Sequence, residues 1–185
     1  MSTIKVNNIE NRTGSSITIG GSSTTSLDLA STITGGTLTN GPAFEVYKNS
    51  NQLITDNTVT KVTFDVESFD TNSAFDLAND KFTVPSGYAG KYYVYLRLDC
   101  DTTVYDMRKA WGYIYLNGSV YANNRHNGHS TTNLDRLGIN VFTTIDLSVG
   151  DYVEAYVLID TGSSQPQLSQ DDKSTMFGAY RIIGV

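Results

Sequence analysis

Two histidines and an arginine lie close together in the middle of the chain, where their side chains could bind a metal or a sugar. Arg125, His126 and His129 are separated only by Asn127 and Gly128. Histidines three residues apart can hold a metal, but the Asn-Gly pair predicts a loop, and no clear third ligand accompanies them. We therefore expect an exposed loop in which Arg125, His126 and His129 contact a ligand, with a surface glycan as the candidate.

Several carboxylates follow one apolar stretch and could bind a cation. Asp99, Asp101 and Asp106 are close in sequence, and calcium prefers several oxygen ligands from flexible loops. The chain has no contiguous calcium-loop motif, so we expect these to be solvated turn carboxylates. Calcium remains a weak alternative, and no residue is assigned as a metal ligand.

The sequence predicts no enzyme and no catalytic residue. Ser, His and Asp are all present, but no nucleophile elbow, metalloprotease helix or phosphate loop places them. A carboxylate pair for glycoside cleavage stays open, although only four glutamates occur and none has an obvious partner. Cys100 shares the alternation of Leu98, which predicts a buried and inert thiol.

Composition narrows the class of protein further. The 185-residue chain has a net charge of −6, which argues against nucleic acid and anionic membranes as partners. Its single cysteine excludes an internal disulfide, and its opening residues have no apolar signal-peptide core. No stretch is long enough to span a bilayer. These features predict a protein made in a reducing cytoplasm.

Alternating apolar residues predict an all-β fold. Tyr92, Val94, Leu96 and Leu98 share one face of a strand, while Tyr93 and Tyr95 make the other face apolar too. Asn117-Gly118 predicts a two-residue hairpin turn. The alternation of apolar residues over residues 137–149 predicts two strands or one bent strand. Val153, Ala155, Val157 and Ile159 share another face. Evenly spaced short strands without helical periodicity predict a sandwich or jelly roll.

Five short motifs resemble the complement globular-head family, the trimeric jelly rolls related to tumour necrosis factor. They occur in order at Pro42-Ala43-Phe44, Phe64-Asp65, residues 75–98, residues 147–153 and residues 176–182. The resemblance implies a jelly-roll head over residues 42–185 and a homotrimer, with Tyr93 and Tyr95 as the suspected contact. Residues 100–138 align poorly, so no binding loop can be transferred from the family.

Residues 1–41 differ from the rest because they contain no aromatic side chain and cannot enclose a core. They predict a disordered tail or an extended arm that becomes ordered against a partner. Residues 2–9, STIKVNNI, resemble the beginnings of bacteriophage structural proteins. We therefore expect a virion-surface protein made in the host cytoplasm, as a tail-fibre or capsid-decoration component attached through residues 1–41. A leaderless bacterial extracellular lectin-like module is the alternative.

Overall fold

A computed structural model describes residues 41–102, 104–128 and 134–182 of the chain. The predicted arm, apart from Gly41, lies outside the described residues. The first strands are β1 (Ala43–Tyr47), β2 (Gln52–Leu53), β3 (Thr60–Lys61), β4 (Val66–Asp70), β5 (Phe75–Asp76), β6 (Lys81–Thr83) and β7 (Gly90–Asp101). They are followed by β8 (Met107–Leu116), β9 (Ser119–Asn127), β10 (Arg136–Leu147), β11 (Tyr152–Thr161), β12 (Gln167–Leu168), a 3₁₀ turn (Asp171–Lys173) and β13 (Met176–Arg181).

The strands form two antiparallel sheets packed face to face. In the first sheet the order is β4-β1-β13-β7-β10, with β12 and β2 extending it beside the end of β7. In the second sheet the order is β5-β6-β11-β8-β9, and β3 also pairs with β11. Strands adjacent in a sheet are mostly distant in sequence, as in a jelly roll, so the predicted all-β jelly-roll sandwich is confirmed.

The core lies between the sheets and follows the alternation of the sequence. The even-numbered residues of β7 from Tyr92 to Leu98 are at most 2% exposed, and the odd-numbered residues of β11 from Val153 to Ile159 are fully buried. One end of the core is aromatic: the ring of Phe44 stacks on Phe75 at 4.8 Å and on Phe82 at 4.9 Å. Burying these rings supplies much of the apolar stabilisation of the sandwich.

Two further sequence predictions can be compared with the strands. Asn117 (φ 49°) and Gly118 (φ 78°) both adopt the left-handed conformation that a tight hairpin turn needs, so the predicted hairpin is confirmed. Residues 137–149 contribute to one continuous strand, β10, which pairs with β7 from Arg136 to Leu147. In the described part of the chain no helix is long and apolar enough to cross a membrane.

The strand directions separate the two ends of the sandwich. Ala43 pairs with Tyr180, which pairs with Tyr93, so the chain enters and leaves the described sandwich at one end. We call this the arm end. The opposite, distal end carries the turns that follow β1, β7 and β11 and those that precede β10 and β13. Residues 104–106, which precede β8, therefore lie at the opposite end of the strands from Ala43.

Candidate functional site

The outward surface of the first sheet carries a group of large apolar side chains that we call the aromatic face. It consists of Tyr47, Phe69, Tyr93, Tyr95, Phe142, Met176 and Tyr180, which the strand register places on one side of β4, β1, β13, β7 and β10. Phe142 is 67% exposed, Phe69 45% and Tyr180 42%. A cluster of exposed rings on one sheet is typical of a protein–protein contact.

The centre of the aromatic face is built to hold Tyr95 flat against the sheet. Gly178 lies beside Tyr95 in the register, and a Cβ atom there would stand only 2.3 Å from the Tyr95 ring. The Tyr95 hydroxyl donates a hydrogen bond to Glu45 at 3.0 Å. Burial and the neighbouring Glu45 carboxylate both raise the pKa of Tyr95, which stays neutral at physiological pH. The ring is thus fixed in one orientation.

Tyr93 completes this centre. Its ring lies 5.4 Å from that of Tyr180 and 6.3 Å from that of Tyr95. The sequence prediction that Tyr93 and Tyr95 share an apolar face opposite the core is confirmed. Their part in a trimer contact stays a prediction. Phe142 and Tyr180 were not predicted as part of this face, although Phe142 has an even number in a strand whose buried residues have odd numbers.

The outward surface of the second sheet is also aromatic, but the rings of β8 are largely covered by neighbouring side chains. Arg125 lies 4.7 Å from the centre of the Trp111 ring, and Lys109 lies 5.0 Å from it. Tyr113 is only 4% exposed, and Tyr115 stacks on a neighbouring tyrosine at 4.1 Å. Cations that cover rings reduce the apolar surface offered to a partner. The first sheet is therefore the better candidate for a contact.

The loop predicted around the histidines is wrong in its first half. Arg125 and His126 belong to β9, which pairs with β8 as far as Asn127, so the hairpin continues where the sequence suggested a loop. Consecutive strand residues point to opposite faces, and Arg125 and His126 therefore cannot line one site together. His129 lies outside the described residues. Ligand binding by Arg125, His126 and His129 stays a prediction, and the geometry separates the first two.

The carboxylates predicted to be solvated are largely buried and paired. Asp99 is 8% exposed and accepts hydrogen bonds from Arg136 Nε at 2.9 and 3.1 Å, while Arg136 Nη2 also contacts it. Burial is the largest single influence and raises the pKa of Asp99, but the hydrogen bonds from Arg136 and the positive charges of Arg136 and Arg97 act in the opposite sense, and together they lower the pKa. The solvated interpretation of Asp99 is therefore wrong, because its partner lies on the neighbouring strand.

Asp106 has a similar structural role at the distal end. It is 9% exposed, and its Oδ2 accepts hydrogen bonds from the backbone N–H groups of Ser163 and Ser164, both at 2.8 Å. It thereby fixes the turn after β11 against the loop that precedes β8. The Asp101 carboxylate accepts a hydrogen bond from Gln167 at 2.9 Å. These acids hold loops in place, and the solvated interpretation is wrong for Asp106 as well.

Metal binding and thiol chemistry find little support among the described residues. They contain no group of three His, Cys, Asp or Glu side chains that could hold a metal ion, so the weak calcium alternative gains no candidate ligands there. Cys100 is fully buried, and burial raises the pKa of its thiol, as expected for an inert cysteine. The candidate functional surfaces are therefore the aromatic face and the distal end.

Comparisons with known proteins agree with the fold. No protein-family model matches the chain. An uncharacterized protein of Bacillus subtilis (strain 168), YqcC, is 28% identical over 133 residues, which cover 66% of this chain and 34% of that protein. The chain thus matches about a third of the length of this relative.

Three solved structures of animal proteins share this fold. The globular domain of a zebrafish complement 1qA protein matches with a TM-score of 0.55 and 16% identity, covering 77% of this chain and 98% of that domain. Murine APRIL matches with a TM-score of 0.55 and 12% identity, covering 76% and 98%. Eiger TNF from S. frugiperda matches with a TM-score of 0.56 and 13% identity, covering 77% and 93%. The head therefore has the jelly-roll fold of complement 1q globular domains and tumour necrosis factors.

Proposed function

We propose that the chain forms a homotrimeric binding head of a bacteriophage particle, attached through residues 1–41 and presenting its distal loops outward. The observation that carries the assembly is the aromatic face. A monomer would leave Phe142, Phe69 and Tyr180 in water. Burying them between copies of the chain would recover that apolar free energy.

Threefold symmetry fits the position of these residues. A cyclic trimer is built from heterologous contacts, in which one patch of a protomer meets a different patch of the next. The aromatic face offers both patches: Tyr93, Tyr95 and Tyr180 lie at the centre of the sheet, whereas Phe142 lies on β10 at its edge. In the proposed trimer Phe142 of one protomer packs on the tyrosines of its neighbour.

Two observations support attachment to a particle: the sequence of the arm, and the position of the distal loops at the end of the strands opposite the arm end. Residues 2–9 resemble the beginnings of bacteriophage structural proteins, and residues 1–41 contain no aromatic residue. The chain enters the sandwich at the arm end, so the distal loops lie at the other end of the strands. This arrangement suits a head that contacts something outside the particle, such as a host-surface glycan.

Deleting residues 1–41 tests the attachment. We expect the truncated head to fold with a nearly unchanged melting temperature and to be missing from purified particles, as measured by mass spectrometry of the particles. The control is the full chain supplied from the same plasmid. Efficient incorporation of the truncated head would contradict the proposed role of the arm.

Adsorption of the purified trimer to host cells distinguishes a tail-fibre protein from a capsid-decoration protein. Binding that saturates indicates an adhesive tail fibre. If the trimer does not adsorb, and particles without it infect normally but fall apart more readily, the protein decorates the capsid. If the full chain is absent from particles and secreted by bacterial cells, the lectin-like alternative replaces the virion proposal.

A further inference from the structure

An open cleft at the distal end has the size of a small-ligand site. Its volume is about 660 Å³, and it lies between the end of β1 and the turn before β13. Protein sites for small molecules typically enclose roughly 300–1,000 Å³. The polar side chains that line it include Asn49, Arg136, Gln170, Asp172 and Lys173.

The positive charges around the cleft are already compensated. Arg136 is held by Asp99 and also by Asp171, whose Oδ2 lies 3.0 Å from its Nη2. Lys173 lies 3.8 Å from Glu45, and its ammonium group donates to Ser68 at 3.0 Å. Lys48, which also lines the cleft, lies 3.6 Å from Asp65. Because these cations have carboxylate partners, the cleft offers no net positive charge that would select an anion.

The wall of the cleft has an unusual backbone. Asp172 (φ 44°) and Lys173 (φ 56°) are consecutive non-glycine residues in the left-handed region. Non-glycine residues in this region are strained and persist only where the surroundings enforce them. Here the ion pair of Lys173 and a hydrogen bond of 3.1 Å from the Gln170 N–H to Asn51 hold the turn.

Three polar side chains of the cleft remain available to a ligand. The backbone N–H groups of Asn49 and Gln170 are bonded, but their side-chain amides and the Asp172 carboxylate make no hydrogen bond to another described residue. Amides both donate and accept, and a carboxylate accepts from hydroxyl groups. Hydroxyl groups also donate and accept, so this set matches a neutral polyol, while Asp172 repels an anion.

We propose that the distal cleft binds a neutral hexose unit of a glycan, with Asn49, Gln170 and Asp172 bonding its hydroxyl groups. The inference rests on the binding head proposed above and identifies its ligand class. The proposed glycan-binding site thus lies at the turn before β13, whereas the sequence had suggested Arg125 and His126.

The test is saturation-transfer NMR of the full chain titrated with D-glucose, D-galactose, D-mannose or N-acetyl-D-glucosamine. We expect at least one of them to bind saturably with a dissociation constant on the order of 1 mM. Asp172→Asn, which keeps a residue tolerant of the left-handed conformation, and the Asn49→Ala/Gln170→Ala pair should each weaken binding about tenfold. Asn123→Ala, an exposed asparagine on β9, is the matched control and should bind as the wild type does.

Three results would overturn the site. The first is no saturable binding of any of the four sugars up to tens of millimolar. The second is equal affinity of the cleft variants and Asn123→Ala. The third is preferential binding of D-glucuronic acid, which would require a cationic site. Light scattering on the same samples reports assembly separately, so an intact trimer without sugar binding refutes the cleft and leaves the assembly standing.

Discussion

Replacing Phe142 by threonine should dissociate the trimer while leaving the fold of each protomer intact. Phe142 is 67% exposed in the single chain, so it contributes little to the core. A phenylalanine side chain buries roughly 200 Å² when it is enclosed, and Phe142 therefore has about 130 Å² left to bury against a neighbour. Threonine suits the strand position, because it has high β-propensity.

The buried area sets the size of the effect. At about 25 cal/mol per Å² the contact is worth about 3 kcal/mol at each interface, an upper estimate. A difference of about 1.4 kcal/mol changes an equilibrium tenfold, so each interface should weaken roughly 100-fold. The free energy of unfolding of the protomer should change by less than about 1 kcal/mol, as for other exposed positions.

Sedimentation equilibrium of the variant over a concentration series measures the effect. Tyr105→Thr is the matched control, because Tyr105 is an aromatic residue that is 72% exposed but lies in a distal loop, away from the aromatic face. We expect Phe142→Thr to dissociate at concentrations where Tyr105→Thr stays assembled. Equal assembly of the two variants, or dissociation of Tyr105→Thr alone, would refute the assignment of the interface.

Two further substitutions and one labelling experiment test other contacts in the head. Gly178→Ala should lower the melting temperature by the equivalent of about 1–3 kcal/mol, because the new Cβ would meet the Tyr95 ring at 2.3 Å; an unchanged melting temperature would show that the ring moves freely. The lowered pKa of Asp99 stabilises the fold above its unfolded value of about 3.8, and this contribution is lost as the pH falls through the folded pKa. The free energy of unfolding of the wild type, measured with urea, should therefore fall below about pH 4. In Asp99→Asn it should depend less on pH in that range, and identical pH profiles of the two proteins would refute this role of Asp99. Cys100 should react with a thiol reagent only at the rate of unfolding, and rapid labelling of the native protein would contradict its burial.

Much of the fold could be predicted because strands have a period of two. Tyr92 to Leu98 and Val153 to Ile159 alternate strictly, and both sets face the core. The Asn117-Gly118 turn was also predictable, since its two left-handed residues favour this pair. These signals are local, so a single sequence contains them.

The candidate site was harder to predict because its contacts are distant in sequence. Asp99 and Arg136 are 37 residues apart and meet only through the pairing of β7 with β10. The cleft joins residues after β1 to residues before β13, and no local pattern connects them. The end of β9 was misjudged because Asn127-Gly128 favours a turn, and pairing with β8 extends the strand to Asn127.

Light scattering at micromolar concentration measures the mass of the full chain in solution and therefore shows whether the chain is a trimer. We expect three times the protomer mass of 20.2 kDa. The same measurement on Tyr95→Asp, which places a charge at the centre of the aromatic face, should give a smaller species. A wild-type protein that remains a monomer of 20.2 kDa across the concentration range would contradict the proposed trimer.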